Sequence, residues 1–124
     1  MIKTVLIAEK NEAMAKIFRL IVSSSSIFSS NNAENSDNCW IRAVKPEEMM
    51  PGDHIDAAIV DMKGYTAAFV QDLRRRFPKL SVMVTGTPEE ISCDLGEGGA
   101  LMPVAKPFDP QKVADFLELC LKMD

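Results

Sequence analysis

Residues 57–61 read Ala57-Ala58-Ile59-Val60-Asp61, an unbroken apolar run closed by a carboxylate. A strand with one wet face would alternate apolar and polar residues. An unbroken run of this length, rich in β-branched side chains, instead reads as a strand buried on both faces, the form found inside parallel sheets. Working outward, the same form recurs upstream at Thr4–Ala8 (TVLIA), followed by Glu9 and Lys10. It recurs downstream at Ser81–Val84 (SVMV), followed by Thr85. Ala100–Ala105 (ALMPVA) is a further strand, and its Pro103 lacks a ladder donor, which places it at or near an edge. Trp40–Val44 (WIRAV) is a weaker candidate with some alternation.

Helical patterns separate these runs. Met14, Ile17, Phe18, Ile21 and Val22 recur at helical spacing behind a capping Asn11. Phe69, Val70, Leu73 and Phe77 mark a second helix that stops before Pro78. Thr87-Pro88-Glu89-Glu90 reads as a capping box opening a short helix, soon stopped by Gly96, Gly98 and Gly99. Asp109-Pro110 opens the last helix, with Val113, Phe116, Leu117, Cys120 and Leu121 as its apolar stripe. Strand and helix alternate throughout, which predicts an α/β fold: a doubly wound, five-stranded parallel sheet flanked by helices. One stretch breaks the rhythm. Ser23–Asn38 is dominated by serine and asparagine and reads as a surface loop insertion, with Ile27 and Phe28 as its anchoring pair.

Composition bounds the rest. The 124 residues predict one domain spanning 1–124, and the 47% apolar content suffices for an ordinary core. A net charge of −4 argues against a nucleic-acid binder, which normally shows a basic face. Cys39, Cys93 and Cys120 are odd in number and in no metal-ligand spacing, so they read as reduced thiols of a cytoplasmic protein. No apolar run approaches a membrane span or a signal peptide.

In doubly wound sheets ligands sit at the carboxyl ends of the strands. The residues there are Glu9 and Lys10, Asp61, Thr85 and Lys106. Two carboxylates, a hydroxyl and two ammonium groups supply what phosphoryl transfer requires: an acceptor, a hydrogen-bond donor and cations for the phosphoryl oxygens.

In this order and at these strand ends, Asp61, Thr85, Gly99-Ala100 and Lys106-Pro107-Phe108 give the chain a resemblance to response-regulator receiver domains, over nearly its whole length apart from Ser23–Asn38. The resemblance implies a flavodoxin-like receiver fold and a part in two-component phosphorelay signalling. Asp61 would accept phosphate from a histidine kinase or phosphotransfer protein, Thr85 would contact the phosphoryl oxygen, and Lys106 would bond the acceptor, with a cis bond to Pro107. It also implies magnesium held by Glu9 and Asp61.

The chain departs from that family at several points. Lys10 stands where a second acidic metal ligand belongs. Unit charges about 4 Å apart interact by about 4 kcal/mol at an effective dielectric of about 20, so an inward Lys10 weakens metal binding by orders of magnitude. The loop Met62-Lys63-Gly64-Tyr65 lacks the family's proline, and Pro103 replaces an aromatic residue that moves with the hydroxyl.

Plainer readings stand beside these roles. Asp61 is also readable as a structural carboxylate paired with Lys106 or Lys10, and Thr85 as a polar strand terminus. His54, beside Gly52 and Asp53, reads as a solvated turn residue, and Arg74-Arg75-Arg76 as a run complementing a helix dipole. The alternative to the phosphoacceptor is a phosphorylation-independent pseudo-receiver that acts as a protein interaction module. An enzyme on this fold has no support: there is no P-loop, no dinucleotide fingerprint and no hydrolytic triad. Output is expected through a protein partner at the surface around Leu95, Pro103 and the outer side of the last helix.

Overall fold

The computed structural model describes residues 2–23, 40–49, 52, 54–106 and 109–122. The serine- and asparagine-rich insertion beyond Ser23, Cys39 and the Lys106–Pro107 peptide bond lie outside them. The elements in order are β1 (Ile2–Ala8), α1 (Glu12–Ser23), β2 (Trp40–Val44), a 3-10 turn (Pro46–Glu48), β3 (Ala57–Asp61), α2 (Ala67–Arg76), β4 (Ser81–Gly86), α3 (Pro88–Ile91), β5 (Leu101–Ala105) and α4 (Pro110–Lys122). All strand pairs are parallel, in the order β2-β1-β3-β4-β5.

The continuous apolar runs occupy the centre, as expected. Every residue of β3 is buried, as are Val82–Gly86 of β4. Strand periodicity divides each run between two layers. Val5, Ile7, Ala57, Ile59 and Met83 pack with Phe18 and Val22 of α1 and with Val113, Phe116 and Leu117 of α4. Leu6, Ala8, Ala58, Val60, Val82 and Val84 face the other way, onto Val70 and Leu73 of α2.

Strand β5 is an edge, and its chemistry explains how it carries a proline. Val82 N–H donates to Ala100 O at 2.9 Å and Lys106 N–H donates to Gly86 O at 2.8 Å. Alternation along a parallel ladder then turns the even-numbered residues of β5 toward β4. Pro103 falls between them, so its missing donor belongs to the open side and costs the sheet no hydrogen bond.

Local caps set the helix starts. Asn11 Oδ1 accepts from Met14 N–H at 3.1 Å, and Thr87 and Glu90 form the reciprocal box at 3.3 and 2.8 Å. Thr66 caps α2 through Phe69 N–H at 3.2 Å, a start signal the apolar spacing alone does not give.

Arg74 does more than its sequence reading gives it. It lies in the last turn of α2, where the dipole reading puts it, but it is also buried, and its guanidinium donates to Gly96 O and Gly99 O at 2.7 Å each and to Leu95 O at 3.3 Å. One turn earlier Gln71 donates to Asp94 O at 2.8 Å. Together they stitch the segment from Asp94 to Gly99 onto α2. Gly99 is required there, because a Cβ would stand 2.5 Å from Leu80 O. Leu95 is only 4% exposed, so it belongs to the core and not to the docking surface expected around it.

Candidate functional site

The site is built by register. Pairing of β3 with β4 sets Asp61 beside Thr85, and the Lys106 N–H bond to Gly86 O brings the end of β5 to the same edge. Glu9 follows β1, the strand on the other side of β3. Glu9, Asp61, Thr85 and Lys106 thus meet at the carboxyl ends of the strands, where the topology places them.

Lys106 Nζ is the hub. It lies 2.7 Å from Asp61 Oδ1 and 4.0 Å from Glu9 Oε1. Thr85 Oγ1 is 3.5 Å from Asp61 Oδ1, at the limit of hydrogen bonding. Glu9 Oε2 accepts from Asn11 N–H at 3.3 Å, whereas the buried Oε1 has no hydrogen-bond partner. Two nearly buried carboxylates therefore share one ammonium group. Burial chiefly pushes the Glu9 carboxyl above its ordinary value; the Asn11 amide opposes this, the neighbouring Asp61 adds to it, and Lys106 pulls it back.

Lys10 is exposed and does not enter this group. Its stem lies along Gly64, where a Cβ would stand 3.2 Å from Lys10 Cγ, and its Nζ sits 5.2 Å from the centre of the Tyr65 ring. Among the described residues no ion pair joins Lys10 to Glu9 or Asp61. Gly64 and Tyr65 are held by the turn after β3, in which both amides donate to Asp61 O at 3.2 and 3.1 Å. Sequence reasoning did not find this seat. Its one local signal is a glycine next to an aromatic residue, and only the fold brings that pair beside Lys10.

The resemblance to receiver domains implies a divalent cation here, and the donor set bears on that expectation. No group of three or more His, Cys, Asp or Glu side chains is gathered among the described residues. Magnesium, however, usually keeps several waters and uses one or two protein carboxylates. Glu9 and Asp61 supply two such carboxylates, Glu9 Oε1 accepts no hydrogen bond, and the Lys10 ammonium is turned to Tyr65, so the residues present fit that demand.

The raised Glu9 carboxyl yields a stability prediction. A carboxyl whose folded-state value lies above its unfolded one holds extra protons in the native state, so stability falls as pH rises through that interval. In metal-free buffer Glu9→Gln should melt higher than the parent at neutral pH. The gain should shrink as the pH falls toward the ordinary carboxyl range. A melting difference independent of pH would contradict the assignment.

The sequence matches no protein-family model and no curated protein. Solved structures resemble it closely in shape. A response-regulator receiver domain from Clostridium thermocellum has a TM-score of 0.67 at 12% identity, covering 97% of this chain and 94% of that one. The receiver domain of NtrX from Brucella abortus has a TM-score of 0.66 at 13% identity, covering 97% and 99%. The receiver domain of Francisella response regulator 1452 has a TM-score of 0.64 at 12% identity, covering 97% of each. The chain thus has the doubly wound, flavodoxin-like fold of response-regulator receiver domains.

Proposed function

We propose that the chain is a receiver domain of two-component signal transduction in which Asp61 accepts the phosphoryl group. The observation that carries this reading is the 2.7 Å contact between Lys106 Nζ and Asp61 Oδ1, with Thr85 beside them at the strand ends. The donor is a phosphohistidine on a kinase or phosphotransfer protein. An Asp61 carboxylate oxygen forms the new bond to phosphorus, the phosphorus–nitrogen bond breaks, and the released imidazole nitrogen takes up a proton. Lys106 offsets charge on the phosphoryl oxygens and Thr85 offers them a hydroxyl donor. Glu9 and Asp61 are the residues that would hold magnesium, which when bound supplies further positive charge. The domain acts as a signalling switch and not as an enzyme. Its partners are the phosphodonor and a downstream protein that reads the surface of β5 and α4. The free thiols of Cys93 and Cys120 suit the reducing cytoplasm, and no helix among the described residues is long and apolar enough to cross a membrane.

A second reading, an interaction module that works without phosphorylation, is favoured by one observation: the position of the second acidic ligand is held by Lys10, seated on Tyr65. An amide NMR titration with magnesium and beryllofluoride separates the two. Metal-dependent shifts at Asp61, Thr85 and Lys106 that vanish in Asp61→Asn are the expected result. No shifts at millimolar magnesium would leave the interaction module as the better account.

A further inference from the structure

The opposite end of the sheet carries a groove of about 590 Å³ that the phosphoacceptor reading does not use. It runs across the amino ends of the strands. At a strand rise of about 3.3 Å per residue, the four steps from Ser81 to Thr85 separate it from the Asp61 pocket by about 13 Å.

Its floor is apolar. Ile55 and Leu80 are almost fully buried beneath it, and the Phe77 ring joins them. Its rim is cationic. Lys3, Arg76 and Lys79 line it, and the Arg76 guanidinium lies 5.5 Å from the centre of the Phe77 ring, against the apolar floor. Arg76 also makes a loose, exposed ion pair with Asp72 at 3.6 Å. The carboxylate in the lining, Asp56, is already engaged: Oδ2 accepts Thr4 N–H at 2.7 Å and Oδ1 bonds His54 Nε2 at 2.8 Å. Those hydrogen bonds leave the Asp56 charge in place, but three cationic side chains stand against this one carboxylate in the lining, so a chain of net charge −4 presents a locally positive groove.

The groove also has a direction. Arg76 and Phe77 end α2 on one face of the sheet, while Cys120 belongs to α4 on the other, and both ends line the same groove. A compact anion would fill one part of it. An extended segment spans from one helical layer to the other.

We propose that this groove is a docking site for an extended acidic peptide segment of a protein partner, with apolar side chains seated over Ile55, Phe77 and Leu80 and carboxylates facing Arg76 and Lys79. Charge complementarity selects the partner and speeds its approach, and the apolar floor holds it. Because the groove and the Asp61 pocket lie at opposite ends of the strands, occupancy of one leaves the other open. The proposal stands independently of phosphate acceptance.

The test uses the whole chain and a labelled eight-residue peptide alternating glutamate and leucine. Its counterpart with lysine in place of glutamate, and ATP as a compact anion, serve as controls. The acidic peptide is expected to shift the amides of residues 54–56 and 76–81, and to bind at least tenfold more tightly than either control. Binding should fall at least tenfold in Arg76→Glu/Lys79→Glu and stay unchanged in Asp61→Asn. Lys16→Glu/Lys112→Glu makes the same change of net charge at exposed sites elsewhere and should retain binding. Thermal melts check that each variant is folded, and the milder Lys79→Gln replaces the charge reversal if it is not. Equal binding of the lysine peptide or of ATP, shifts confined to other residues, or equal loss in both charge-reversed variants would each overturn the proposal.

Discussion

Arg74→Ala is expected to lower the unfolding free energy by about 3 kcal/mol and the melting temperature by roughly 10 °C, as read by urea and thermal denaturation. Three carbonyl oxygens depend on this one guanidinium, and hydrogen bonds to a charged group contribute about 1.5–3 kcal/mol each. The sum is discounted because Gly96 and Gly99 lie near the surface, where water regains their carbonyls. Arg74→Lys should recover little, since a single ammonium cannot span the same carbonyls with a planar fork. Arg74→Met keeps the buried stem and should fall between the two. The control is the neighbouring Arg75, whose side chain is 77% exposed; Arg75→Ala should stay within about 0.5 kcal/mol of the parent. If the two alanine variants melt together, the stitching of Asp94–Gly99 onto α2 carries no stability.

Lys106→Met carries the second large effect. It leaves Asp61 and Glu9, 4% and 8% exposed, without the ammonium they share. Removing one partner of a fully buried pair costs about 3–5 kcal/mol. Lys106 keeps 29% of its side-chain surface, so solvent already screens part of the interaction and a loss of about 2–3 kcal/mol at pH 7 is expected. The deficit should shrink in acid, because protonating one carboxyl relieves the repulsion between them. Magnesium gives a further check. If the two carboxylates form a cation site, millimolar magnesium should raise the melting temperature of Lys106→Met more than that of the parent. A variant as stable as the parent at every pH would show that Lys106 is not the counter-charge of this pocket.

The parts of this molecule legible from sequence are those fixed by local chemistry or by burial on two sides. Ala57–Val60 and Val82–Val84 are apolar at every step because both faces are covered, and that leaves a mark no half-exposed strand carries. Asn11 and Thr87 announce their helices because a cap acts within three residues. The gathering of Glu9, Asp61, Thr85 and Lys106 was legible because a parallel sheet sends every strand end to one edge. The role of Arg74 was not, since its acceptors lie 21 to 25 residues away in a loop with no pattern of its own. The direction of Lys10 was equally hidden. A lysine after Glu9 can turn toward the carboxylates or toward an aromatic ring, and only the folded loop carrying Gly64 and Tyr65 decides between them.

The placement of Pro103 bears on how this protein behaves in company. An exposed sheet edge is a template on which another chain can lay a strand. With a pyrrolidine ring in the middle of β5, the outward row of amides is interrupted where a sixth strand would have to bond. That flank of the domain can therefore be crowded against its own kind without the sheets fusing into a continuous ribbon, and contacts made there are left to side chains.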